Sequence, residues 1–229
     1  MKRSNNIIVA LDVAKWKDVK FFLDIFSPHV KTFKIGPRLF IPYGKKIIRL
    51  IKSYNCDVFL DLKLHDIPTQ VANSVKEIAD LGVSMFTVHA LGGESMIRKA
   101  REVLDTFPVK ERSCMLAVTV LTSISEKDLH FLGFKNKINI IVFKLANLAL
   151  TSGADGIVCS VKDVQNLKEK VNKDFVAVVP GISLTEMHED QKRCGSPKEA
   201  FDNGADYIVV GRSILEAQDP LKVLKEVKI

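Results

Sequence analysis

Cysteine is scarce in this chain of 229 residues: Cys56, Cys114, Cys159 and Cys194 stand far apart, with no C-x-x-C pair and no histidine at metal-ligand spacing. That excludes zinc ribbons and disulfide-stapled secreted scaffolds, and free thiols in a reducing compartment are expected. Long hydrophobic runs are also missing. The richest apolar stretch, 138–150, is broken by Lys144 and Asn147, short of the roughly 18 residues needed to cross a bilayer. Met1-Lys2-Arg3 opens like a signal peptide, but the apolar segment 7–11 meets Asp12 at once and is too short for a leader's hydrophobic region. A soluble, cytoplasmic protein without membrane association is expected. With only 12 glycines and 8 prolines, collagenous and low-complexity classes fall away. No Gly/Pro/Ser-rich linker divides the chain, so one domain over residues 1–229 is expected.

What the chain has instead is apolar bulk and mixed charge. It is 47% hydrophobic and 27% charged, which promises a sizeable core. Its net charge of +7 suits an anionic partner. The basic residues, as in Lys45-Lys46 and 168–173, are scattered and interleaved with acids. No aromatic-basic stripe marks a nucleic-acid groove; a solvated surface accounts for most of these charges, with a small anionic molecule as an additional reason for the excess.

Short β-branched runs alternate with longer helical patterns. Candidate strands are 7–11, 32–36, 57–62, 85–89, 115–121, 155–160, 175–180 and 207–211. Amphipathic stretches such as Val19, Phe22, Leu23 and Phe26 lie between them. Eight strand-helix units imply parallel strands joined by right-handed crossovers, and a closed (β/α)8 TIM barrel is the economical result. A doubly wound open sheet is the competitor. It would carry a Gly-rich turn after its first strand, where this chain has Leu11-Asp12-Val13.

Barrel sites form at the carboxyl ends of the strands, and those ends are unusually polar here. They carry Asp12, Lys34, Asp61-Leu-Lys63 with Asp66 beyond, His89 before Gly92-Gly93, Thr119 before Thr122-Ser123, Pro180-Gly181 and Gly211-Arg212. Asp61 and Lys63 are two apart, so a regular strand would turn both, with Phe59, into the barrel mouth. Burying an acid and two lysines there is costly unless they pair or do chemistry, which leaves a structural ion-pair cluster or a reactive array. Gly211-Arg212-Ser213 has the make-up of a phosphate grip: backbone N–H groups can approach and a guanidinium adds two donors. An ordinary turn is its plainer reading. Gly92-Gly93 reads more readily as a strand-to-helix connection than as an anion turn, His89 more readily as a hydrogen-bonded core residue than as a catalyst, and His65 as a packing or orienting residue.

The string Asp61-Leu-Lys63-Leu-His-Asp66-Ile-Pro, with Ile-Val-Ala-Leu-Asp12 and Phe-Lys34-Ile-Gly-Pro before it and Val-Leu-Thr122-Ser and Val-Val-Gly211-Arg212-Ser after it, resembles the bacterial-type orotidine 5'-phosphate decarboxylases. The resemblance spans nearly the whole chain. It implies conversion of orotidine 5'-monophosphate to uridine 5'-monophosphate and carbon dioxide with no cofactor and no metal. It makes Lys63 the proton donor, with Lys34, Asp61 and Asp66 completing a charged array. Asp66 is expected to reach the partner's site in a homodimer. Asp12 and Lys34 would hold the ribose hydroxyls, and Thr122 and Ser123 would meet the pyrimidine. Gln191, Gly211 and Arg212 would take the phosphate, while Ile67, Gln70, Pro180 and Gly181 join the substrate contacts. Two positions depart from the family pattern: Ser183 stands where Arg is usual, and Thr69-Gln70 where Asn-Thr is usual. Segments 122–137 and 181–196 are long enough to serve as lids. The sugar-phosphate decarboxylases and synthases of the same suprafamily, which use magnesium, are the competing enzymes; they tend to have Glu where this chain has Lys34. A catalytically silent barrel is the non-enzymatic alternative.

Overall fold

Alternation inside the strands builds two separate cores. In the first strand Ile7 and Val9 belong to a large cluster shared with the helices, while Ile8 and Ala10 belong to a second, smaller cluster with Phe59, Leu116, Val178 and Val209. Successive side chains of a strand point to opposite faces. Both faces are therefore buried, which is why the strands read as continuous apolar runs.

The structure, a computed structural model, describes residues 4–183 and 195–227. Its elements run β1 (Ser4–Ala10), α1 (Trp16–Phe26), β2 (Val30–Ile35), α2 (Pro37–Tyr43), α3 (Lys45–Ser53), β3 (Asp57–Leu64), α4 (Pro68–Asp80), β4 (Met85–His89) and α5 (Gly93–Asp105). There follow β5 (Cys114–Val118), α6 (Glu126–Phe131), α7 (Ile138–Thr151), β6 (Gly156–Val158), α8 (Val161–Lys170), β7 (Val176–Val179), α9 (Pro197–Asp202), β8 (Tyr207–Val210), α10 (Arg212–Leu215) and α11 (Pro220–Glu226). All eight strands pair in parallel and in chain order, and β8 closes on β1 through Ile7 to Ile208 and Val9 to Val210. The closed barrel expected from the alternation is the observed fold, and the open sheet is excluded. No helix among the described residues is long and apolar enough to cross a membrane.

Two expectations needed adjustment. β5 ends at Val118 and β6 shrinks to Gly156–Val158, although Thr119 N–H still donates to the Val158 carbonyl at 3.4 Å and Cys159 N–H to the Val178 carbonyl at 3.2 Å. Segment 122–137 is not a bare loop. It contains α6, opened by a capping box in which Ser125 and Asp128 bond reciprocally, and anchored by buried Leu129.

Candidate active site

β2 and β3 deliver the charged residues because their inward positions near the mouth are polar. Lys34 is in register with Ala10 on one side and Phe59 on the other. Its Nζ lies 3.3 Å from Asp61 Oδ2 and 3.8 Å from Asp12 Oδ1. Lys63 Nζ lies 2.8 Å from Asp61 Oδ1. One carboxylate thus bridges two ammonium groups, with the Lys34 and Asp61 side chains each only 12% exposed. Burial pushes the Asp61 carboxyl up, but Lys34, then Lys63, and hydrogen bonds from Lys63 and Thr87 outweigh it and hold the group below its ordinary value.

Lys63 does not sit on a regular strand. Its φ is +50°, in the left-handed region, which costs a non-glycine residue about 1–3 kcal/mol and persists where surrounding contacts impose it. The β3–β4 register jumps there: Leu60 pairs with Phe86 and Leu64 with Val88, so four steps on β3 oppose two on β4. Asp61 and Lys63 do meet at the mouth, but a regular pleat is not what brings them there. A bulge aims the lysine.

The array borders a cavity of about 250 Å³ at the carboxyl ends of the strands. Phe59, Val118, Val158, Val178 and Val209 give it an apolar floor, and Asp12, Lys34, Asp61, Lys63, Thr122 and Arg212 a polar rim. Pro180, Gly181 and Gly211 line the side formed by β7 and β8. Gly181 has φ +76°, which a side chain would strain. Around it Gly195 N–H donates to the Gly181 carbonyl at 3.3 Å and Ser183 N–H to the Gly195 carbonyl at 3.1 Å. Those bonds hold Gly195 against 181–183 at the end of β7; the remainder of the 181–196 segment, 184–194, lies outside the described residues.

Apolar floor, charged rim and strand-end location are the marks of a barrel active site, and comparison with known proteins identifies which kind. Residues 5–227 match the model of the orotidine 5'-phosphate decarboxylase / HUMPS family. An orotidine 5'-phosphate decarboxylase from Geotalea daltonii is 43% identical over 223 residues, covering 96% of this chain and 93% of that one. One from Actinobacillus pleuropneumoniae is 42% identical, covering 97% of each. The crystal structure of orotidine 5'-phosphate decarboxylase from Lactobacillus acidophilus superposes with a TM-score of 0.84 at 36% identity, covering 98% of this chain and 97% of that one. The chain belongs to the orotidine 5'-phosphate decarboxylase / HUMPS family.

Not every residue expected from the family pattern meets the cavity. Asp66, Ile67, Gln70 and Ser123 are exposed and outside its lining. The Asp66 carboxylate accepts from Ile67 N–H at 2.6 Å, and among the described residues it forms no ion pair. Gln191 lies outside the described residues. His89 Nδ1 accepts from Leu91 N–H at 3.3 Å and the ring stacks on His65 at 5.4 Å. Burial first, then His65 and Lys63, lower its pKa, which suits a neutral acceptor. Gly92-Gly93 is a plain connection, with a short 3-10 turn, Ala90–Gly92, leading into α5.

Two residues near the charged rim had escaped the sequence reading. Cys159, buried, lines the cavity, and nothing in its spacing set it apart from the other thiols. Thr87 on β4 bonds both Asp61 and the Lys63 backbone. A signal for it existed: it is a polar residue at an inward position between Phe86 and Val88, both in the outer core.

Proposed function

We propose that this chain is the decarboxylase that converts orotidine 5'-monophosphate to uridine 5'-monophosphate and carbon dioxide in pyrimidine nucleotide synthesis, in the cytoplasm and without a cofactor. The observation that carries the reading is the Lys34–Asp61–Lys63 cluster on the rim of an apolar cavity; the names of its relatives support it. In the reaction the bond from C6 to the carboxylate breaks, the electron pair stays on C6, and carbon dioxide leaves. The Lys63 ammonium stabilises the developing carbanion and then gives C6 its proton. Asp61 fixes that ammonium and opposes the substrate carboxylate, a repulsion relieved as carbon dioxide departs. Asp12 and Lys34 are assigned to the ribose hydroxyls, Thr122 and Ser123 to the pyrimidine, and Gly211, Arg212 and Gln191 to the phosphate. Pro180 and Gly181 complete the wall around it.

The working unit is proposed to be a homodimer in which each Asp66, with Ile67 and Gln70 beside it, enters the opposite site. The exposure of Asp66, its lack of an ion pair among the described residues and its neighbour Ile67, 63% exposed, support that arrangement.

A magnesium-dependent sugar-phosphate reaction fits the donor set poorly. Both Asp61 oxygens already face ammonium groups, Oδ1 that of Lys63 and Oδ2 that of Lys34, and a divalent cation would be repelled. The deciding experiment follows orotidine 5'-monophosphate loss by ultraviolet absorbance, before and after exhaustive dialysis against a chelator. Equal turnover in both samples is expected. No turnover, or loss that magnesium restores, overturns the reading.

A further inference from the structure

The interior of this barrel is apolar at most inward positions, yet β4 places a threonine where a valine would fill the same space. Met85 belongs to the interior cluster and Phe86 and Val88 to the outer core. Thr87, 1% exposed, is the inward residue between the latter two. Its hydroxyl has one hydrogen to give and lone pairs to receive, and both are used. It donates to Asp61 Oδ1 at 3.0 Å and accepts from Lys63 N–H at 2.8 Å. The Lys63 ammonium returns to the same Asp61 oxygen at 2.8 Å.

These three bonds close a ring: hydroxyl to carboxylate, carboxylate to ammonium, and the lysine's own backbone to the hydroxyl. The lysine is thereby held at both ends. Its N–H takes a side-chain acceptor where β3 slips by two residues against β4, between Leu60 and Leu64. Its φ of +50° sits inside that slip. We propose that Thr87 is a positioning residue, one buried hydroxyl that sets both the left-handed backbone of Lys63 and the carboxylate that aims its ammonium. It is absent from the cavity lining, so it acts through those two residues and not on the substrate.

This inference rests on the decarboxylase reading, and its test separates the two. Thr87→Val removes the hydroxyl at nearly constant shape, and Thr87→Ser keeps it. With orotidine 5'-monophosphate as substrate, Thr87→Val should lower kcat by about 10–100-fold, since misplacing a reacting group by about 1 Å costs on that order. KM should stay within about threefold, as for a group whose effect is felt in the transition state. Thr87→Ser should recover kcat to within about threefold of the parent. If the valine protein does not fold, Thr87→Ala takes its place against serine. An unchanged kcat, a rise in KM alone, or an equal loss in the serine protein overturns the proposal. Crystal structures of the parent and the variant judge it without any substrate. Loss of the positive φ at Lys63 or of its 2.8 Å contact with Asp61 in the variant supports it, and retention of both overturns it. Should the parent fail to decarboxylate, the decarboxylase reading falls and those structures alone decide the role of Thr87.

Discussion

Lys63 combines three features in one residue: a left-handed backbone, a 2.8 Å ion pair with a buried carboxylate, and a place on a cavity rim. Each costs stability or freedom, and their coincidence is what a prearranged proton donor requires. Removing the ammonium by Lys63→Ala should lower kcat by about 10³-fold or more, since it deletes both charge stabilisation and the proton source. The protein should still fold, because the side chain is over a third exposed and fills no core space. Stopped assays with circular dichroism on the same sample check both statements. A folded variant with near-normal kcat would remove Lys63 from the mechanism.

At the scale of elements, the last two strands form a distinct pole. β7 and β8 end in Pro180-Gly181 and Gly211-Arg212, and Ser213 Oγ reaches the Ile182 carbonyl at 3.5 Å, tying the two ends together across the cavity wall. Arg212→Ala should weaken kcat/KM for orotidine 5'-monophosphate by roughly 10- to 100-fold, the size of a charge-assisted contact of about 1.5–3 kcal/mol. Turnover of the unphosphorylated nucleoside should barely change, and equal losses on both would make the arginine structural. Barrel closure sets a different limit at β6. Gly156 lies between Leu116 and Val176 in register, and a Cβ there would press on the Val176 carbonyl and come within 2.8 Å of Leu116 Cδ2. Gly156→Ala should therefore cost about 1–3 kcal/mol as overpacking. In a chain of this length that lowers Tm by about 2–4 °C per kcal/mol, readable by calorimetry. An unchanged Tm would mean that the strand can shift outward.

For the whole molecule, the proposed sharing of Asp66 makes catalysis a property of two chains. A twofold interface is isologous, so a dimer holds two equivalent composite sites. Lys63→Ala and Asp66→Ala proteins should each be poorly active alone. After subunit exchange, a mixed dimer has one site lacking both groups and one intact site, and its activity should approach half the normal value. Mixed dimers seen by native mass spectrometry without recovered activity would place Asp66 in its own chain's site or outside the machinery.

Local periodicity determined much of this protein. Eight alternations of strand and helix, with apolar residues on both faces of the strands, such as Ile7 and Val9 against Ile8 and Ala10, leave a closed parallel barrel or a doubly wound open sheet, and the lack of a Gly-rich turn at Leu11-Asp12-Val13 favours the barrel. The spacing of Asp61 and Lys63 and the polar strand ends were legible for the same reason, since they depend on neighbours in the chain. Tertiary structure decided which distant groups meet. Lys34 reaches Asp61 through the β2–β3 register, Asp12 comes to the same rim as Arg212 because β8 closes on β1, and Thr87 finds Lys63 only because β3 bulges against β4. Register between strands is set by the packing of the whole barrel, and no stretch of sequence encodes it alone.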